Sequence, residues 1–264
     1  MRKKWIMALM VFIFCFSIGA GAVQANDEEE VPPLRGGSEK DVRNPETVPL
    51  PDLQMEFPEV VFVQGDPESN QVALTFDDGP DPRFTESVLN TLEDYDVPAT
   101  FFVMGARAEA YPEFLERMEA EGHDVGNHTY WHPTLTDESV EQLEWEVEET
   151  EAVIEETIGY RPRLFRPPYG SVTTEQVERL EELNNVVIGW GVDSYDWEGI
   201  PAEEVTENVL EEVGPGSIVL MHDGGDWTQD IHSPEALDDI IPELQDQGYE
   251  FVTISEMFDI PREK

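Results

Sequence analysis

The chain has 264 residues, enough for one large domain or two small ones with a substantial core. Lys and Arg total 15 against 59 Asp and Glu, and the resulting net charge of −44 excludes nucleic acid and anionic lipid surfaces as natural partners. Self-repulsion on this scale destabilises a compact state unless salt screens it, so strong brine or alkaline surroundings are the expected setting.

Arg2-Lys3-Lys4, an apolar run from Trp5 to Ile18, and small residues ending Val23-Gln24-Ala25 follow the order of a secretory signal, with cleavage expected after Ala25. Extended through Val23, the same run approaches the ~20 residues that span a bilayer. An uncleaved anchor over residues 5–23 is therefore the alternative, and membrane contact is expected only in that case. Either way the remainder lies outside the cytoplasm, secreted or held at the wall. Cys15 sits inside the apolar run, so the mature chain has no cysteine and no disulfide framework.

Residues 26–58 are acidic and Pro-rich, contain Gly36-Gly37 and lack periodicity, which predicts a flexible spacer. The main folded domain is expected over residues 59–264. Val60–Val63, a turn at Gly65-Asp66-Pro67, and Gln71–Phe76 suggest a hairpin leading into it. Strands and helices then alternate. Helices are predicted over Thr85–Tyr95, Pro112–Glu121, a long acidic stretch capped by Thr136 or Asp137, Thr174–Leu183, Ala202–Val213 and Pro234–Gln247. Strands are predicted over Ala99–Met104, Asp124–Asn127, Arg163–Phe165, Val186–Val192, Ser217–Met221 and Phe251–Ile254. About seven such units argue an α/β fold, a distorted or incomplete (β/α) barrel of parallel strands. A monomer is expected.

In barrels of this kind the site lies at the C-terminal ends of the strands. Here Asp77 and Asp78 end the first strand on a Gly-Pro turn, which lets neighbouring carboxylates aim into one site. His128, Arg166, Asp193 and His222 follow later strands at corresponding places. His128 and His132 form His-x-x-x-His, a spacing that brings both rings together on a helix or a shaped loop. Two imidazoles and a carboxylate leave open positions on a divalent ion, which suits water activation rather than a closed structural site. His222-Asp223 is either a satisfied pair or, beside a metal, the source of an acid for a leaving amine. Arg166 either anchors its loop or holds a carboxylate ionised and oriented. Trp197 is a pocket wall or core; Trp131 and Trp227 lie in loops near the expected site and are candidates to stack on sugar rings. His123 and His232 are read as structural or solvated.

With these residues assembled, the chain resembles the polysaccharide deacetylases, the family carrying the NodB homology domain (carbohydrate esterase family 4). The resemblance covers roughly Val72 to Phe258. It rests on five ordered motifs: Thr75-Phe76-Asp77-Asp78-Gly79-Pro80, His128-Thr129-Tyr130-Trp131-His132-Pro133, Arg166-Pro167-Pro168-Tyr169-Gly170, Asp193-Ser194-Tyr195-Asp196-Trp197 and Leu220-Met221-His222-Asp223. It implies metal-dependent removal of N-acetyl groups from amino-sugar polymers such as peptidoglycan or chitin-type glycans. By that resemblance Asp78, His128 and His132 hold the ion, zinc first and cobalt or other divalents as alternatives. Asp77 is the general base, His222 the general acid, Arg166 the residue that orients Asp77, and Asp196, ahead of Asp193, the one that tunes His222. The Tyr169 backbone N–H helps hold the oxyanion, while Leu220, Trp197 and Pro168 line the substrate pocket. The rival readings are an O-acetyl xylan esterase on the same site, a two-carboxylate glycosidase, and an inactive wall-glycan-binding module.

Overall fold

A computed structural model describes residues 31–42, 50–225 and 230–264. The expected signal segment, Cys15, Trp227 and the 26–30 and 43–49 parts of the expected spacer lie outside the described residues. Val31–Lys264 forms one compact unit.

In chain order its elements are α1 (Glu39–Val42), α2 (Leu50–Glu56), β1 (Val61–Phe62), β2 (Gln71–Asp77), α3 (Thr85–Tyr95), β3 (Thr100–Val103), α4 (Gly105–Ala110), α5 (Pro112–Ala120), β4 (Asp124–Asn127), α6 (Val140–Ile158), β5 (Leu164–Phe165), α7 (Thr174–Glu182), β6 (Val186–Ile188), β7 (Val192–Asp193), α8 (Ala202–Glu212), β8 (Ser217–His222), α9 (Ser233–Asp246), β9 (Glu250–Phe251) and α10 (Ile254–Phe258). Every strand pair is parallel, in the order β1-β6-β5-β4-β3-β2-β8-β7, with β9 beside the start of β2. Among the described residues no pairing joins β1 to β7. The expected incomplete barrel is therefore found, as a curled sheet of nine strands rather than about seven.

The period of two along β2 divides its residues between two cores. Val72, Leu74 and Phe76 face outward into the layer under α3, α8 and α9, together with Val219 and Met221 of β8. Ala73 and Ile218 face the barrel interior with Phe102, Leu164 and Ile188. The same alternation carries Thr75 and Asp77 of β2, and Leu220 and His222 of β8, to the interior. Asp77 and His222 are register partners on the last rung of this ladder. Phe76, Phe101 and Phe102 are fully buried, each worth about 1.5–3 kcal/mol of apolar burial.

Several expectations need correction. β1 pairs with β6 in parallel, not with β2, so the predicted hairpin is absent. The turn after it is real, but it leads the chain across the sheet end, where the Gly65 N–H donates to the Gly216 carbonyl. The expected strand over Val186–Val192 is broken into β6 and β7, because a buried arginine takes the Ile188 and Gly189 carbonyls. Ser139, not Thr136 or Asp137, caps α6 by accepting from the Gln142 N–H. The last expected strand shortens to β9 and yields to α10, whose Ile254 plugs the barrel interior. The spacer expectation also fails where the chain is described. Leu50 and Leu53 of α2 pack with Val61, Phe165 and Val187, and Val31, Ser38 and Glu39 are buried. A few apolar anchors suffice to dock a segment whose average composition is polar.

Candidate active site

The strand ends deliver the residues as the alternation anticipates. Asp77 closes β2 and Asp78 follows with φ of 71°, a left-handed turn that swings the second carboxylate to the same side as the first. His128 follows β4, and the loop to His132 is shaped by left-handed Thr129 and His132. Asn127 Oδ1 accepts the Thr129 N–H, and Thr129 Oγ1 accepts the His132 N–H. From α6, the buried Glu146 carboxylate accepts the N–H groups of both Tyr130 and Trp131, at 2.9 and 2.8 Å.

Asp78 Oδ1 lies 3.1 Å from His132 Nε2 and 3.4 Å from His128 Nε2. These three atoms are buried, and none has a hydrogen-bond partner. Three orphaned ligand atoms converging on one point are what a divalent cation satisfies, so the donor set fits the expected metal. The imidazole tautomers agree. His128 Nδ1–H donates to the Arg166 carbonyl at 2.8 Å, which reserves Nε2 for the ion. The Tyr169 hydroxyl donates its one proton to the Gly37 carbonyl at 2.8 Å, so its oxygen accepts His132 Nδ1–H at 3.0 Å. His132 Nε2 is thereby reserved as well.

Burial alone would raise the Asp78 pKa, yet the adjacent His132 and His128 hold it well below the usual carboxylate range. Burial pulls His128 down, but Asp77 and Asp78 together carry it above its ordinary value. At His132 burial prevails over Asp78, and its pKa is lowered.

Arg166, fully buried, donates from Nη1 to Asp77 Oδ1 and to Thr75 Oγ1, both at 2.8 Å. Its other donors reach Ile188 and Gly189, and its guanidinium lies over the Phe102 ring at 4.2 Å. His222 Nδ1 donates to Asp196 Oδ1 at 2.7 Å, while Asp196 Oδ2 accepts the His222 backbone N–H and the Ser233 hydroxyl. Burial would lower the His222 pKa, but the Asp196 charge pushes it up to about 10. Asp193 plays a different part. It accepts the Tyr195 N–H and the Trp197 indole N–H, shaping the loop that carries Asp196.

Of the expected substrate residues, Trp197 shares a small cavity with Asp78 and His222. Leu220 lies on the interior face of β8 with His222, and Pro168 is buried beside Tyr169, whose φ is 59°. Trp131 is covered on one face by the Arg35 guanidinium at 3.8 Å. His123 is structural, its Nδ1 accepting the Ala99 N–H, and His232 is part-exposed.

Sequence reasoning passed over three supports. Glu146 carries a signal, since it falls on the buried stripe of α6 between Leu143 and Val147. The Tyr169 side chain was hidden behind the backbone role assigned to that residue. Arg107 is fully buried and donates to the carbonyls of Asp78, Gly225 and Pro32. It stands beside Asp81 and Asp223, and burial pushes the Asp223 carboxyl up to about 7. Nothing in the spacing of Arg107 announces this bracing.

Residues 64–188 match the family model described as polysaccharide deacetylase. The chain is 41% identical over 196 residues to a peptidoglycan-N-acetylglucosamine deacetylase of Bacillus cereus, covering 74% of this chain and 70% of the relative. It is 40% identical over 201 residues to the peptidoglycan-N-acetylmuramic acid deacetylase PdaC of Bacillus subtilis, covering 75% of this chain but 41% of that longer protein. The solved structure of Bc1960, a peptidoglycan N-acetylglucosamine deacetylase, superposes with a TM-score of 0.73 at 40% identity, over 76% of this chain and 94% of the other. With the motif residues gathered at one barrel mouth and these likenesses spanning most of the chain, the protein is an enzyme of the polysaccharide deacetylase family.

Proposed function

We propose that this enzyme hydrolyses the N-acetyl groups of peptidoglycan amino sugars, N-acetylglucosamine or N-acetylmuramic acid, with a divalent ion held by Asp78, His128 and His132. The observation that carries the reading is the convergence of three buried, unpartnered ligand atoms between Arg166-bound Asp77 and Asp196-bound His222. The names of the relatives support the substrate class.

An ion held by Asp78, His128 and His132 would supply a Lewis acid to polarise the acetyl carbonyl and lower the pKa of the attacking water. Asp77 accepts the proton of that water; the Arg166 guanidinium pairs with its carboxylate and aims the oxygen not bound to Nη1. His222, protonated through neutral pH, gives its Nε2 proton to the amine nitrogen as the C–N bond breaks, and Asp196 restrains the ring. The Tyr169 backbone N–H stabilises the charge that gathers on the carbonyl oxygen, a contribution of about 2.7–4 kcal/mol for one such donor. Leu220 lines the space for the acetyl methyl. A two-carboxylate glycosidase fits poorly, because Asp77 is engaged by Arg166 and Asp78 faces the two imidazoles.

The ion is zinc in this proposal, and the protein is exported by its N-terminal segment and works in concentrated salt. Acetate release from a panel of acetylated glycans in molar NaCl, with and without chelator, is the test. Release from peptidoglycan that chelator abolishes and zinc restores is expected. Release only from acetylated xylan would replace this reading with the esterase, and indifference to chelator would remove the ion from it.

A further inference from the structure

The catalytic groups are nearly sealed: Asp78 is 1% exposed, His128 1%, His132 0% and His222 2%. What seals them includes a stretch of chain outside the five motifs. Leu34, Ser38 and Glu39 join Asp78, Trp197 and His222 around a cavity of only ≈ 10 Å³, room for about one water molecule. Pockets that accept small molecules run to roughly 300–1,000 Å³, so no N-acetyl sugar enters this arrangement.

The segment is seated by specific contacts. The Arg35 and Gly36 N–H groups donate to the carbonyls of Trp131 and His132, each at 2.9 Å, so the segment lies along the loop that carries the metal ligands. Gly37 accepts from Tyr169, and Pro32 accepts from Arg107, the arginine that also braces Asp78. The Arg35 guanidinium covers Trp131, and its charge also acts on Glu146, which holds the same loop. Gly36 permits the close approach: a Cβ there would lie 2.4 Å from Tyr169 Oη and 2.8 Å from the His132 carbonyl oxygen.

We propose that the cleft over Asp78, His128 and His132 is a peptide-binding surface whose resident occupant is this chain's own Val31–Val42 segment, which competes with the polysaccharide and must leave before turnover. The competition rests on the deacetylase reading; the seating of the segment does not. A segment seated about nine-tenths of the time lowers apparent substrate affinity about tenfold, and its removal returns that factor.

The test uses the full chain carrying Gly36→Val, which drives a side chain into Tyr169 and the His132 carbonyl, and separately Arg35→Glu, which removes the cation over Trp131. Three rates are compared with the parent chain: chelator extraction of bound zinc, proteolysis within residues 31–42, and acetate release from peptidoglycan. The expected result in both variants is about tenfold faster extraction and acetate release, with earlier cleavage of the segment. Unchanged extraction and unchanged cleavage in both variants would overturn the proposal. So would faster extraction with slower acetate release, which would make the segment a support of the site instead of a competitor. Faster extraction and cleavage with no acetate from any glycan, in parent or variants, would uphold the seated segment and remove the deacetylase reading.

Discussion

The hydroxyl of Tyr169 stands 3.0 Å from Nδ1 of His132, and because its own proton goes to the Gly37 carbonyl it can only accept from that ring. One phenol thus sets the tautomer of a proposed metal ligand. Tyr169→Phe removes this partner while keeping the ring, and the expected outcome is a loss of about 10–100-fold in zinc affinity with little change in fold. Titration calorimetry of the metal-stripped protein measures it; unaltered affinity would assign the hydroxyl to the loop alone.

Asp77→Asn keeps a carbonyl oxygen for Arg166 but cannot take a proton. Zinc affinity should stay within a few-fold, since Asp78, His128 and His132 remain, while kcat falls by about 10²–10⁴-fold. His128→Ala, in contrast, should lose the ion. Paired measurements of bound zinc and acetate release separate the two roles, and near-normal kcat in Asp77→Asn would end the assignment of the base.

For His222 the pH dependence has a definite sign. The group must be protonated to act as an acid, so the rate falls as pH rises through its pKa, and a pKa of about 10 keeps the acid form available across the neutral range. Asp196→Asn removes the largest of the charges that raise it and leaves only Asp78 and Asp77 to oppose burial, so the pKa falls from about 10. The alkaline limb should then move to lower pH, and above the new pKa each further pH unit leaves about tenfold less enzyme carrying the proton. A pH–rate profile whose alkaline limb did not move would dissociate Asp196 from His222.

Glu146→Ala leaves the Tyr130 and Trp131 N–H groups without their acceptor. A fully buried orphan costs about 1–3 kcal/mol and these half-buried ones less, so a lower Tm and weaker zinc binding are expected together. A lower Tm with full zinc affinity would show that the loop holds its shape without the glutamate.

Net charge governs the last prediction. With 59 acidic against 15 basic residues, stability should rise steeply from low to molar NaCl as the Debye length shrinks to about 3 Å. Urea unfolding at the two salt concentrations is the measurement, and equal midpoints would remove the brine setting.

How much of this was legible in the sequence follows from the range of each interaction. Asp77, His128, Arg166 and His222 could be placed because each falls at the end of a short predicted strand and all strands of such a sheet point one way. Asp196 was legible as the partner of His222 only through family resemblance, since nothing in its spacing separates it from Asp193. Arg107 and the Val31–Val42 segment were not legible, because their contacts join positions far apart in the chain and leave no local period. Gly189 and Gly191 carried a visible hint that the strand there breaks, but its cause lies in the guanidinium of Arg166, more than twenty residues upstream.

Asp77 and His222 stand on one rung of the β2–β8 ladder. Their backbones are therefore held at the ~4.8 Å spacing of neighbouring strands by the sheet itself, not by any surface loop. Loops around the mouth can therefore change shape, and with them the polymer that fits, while the separation of Asp77 and His222 stays at constant gauge. A swap of loops between members of the family should alter which glycan is taken and leave the bell of the pH–rate curve where it was.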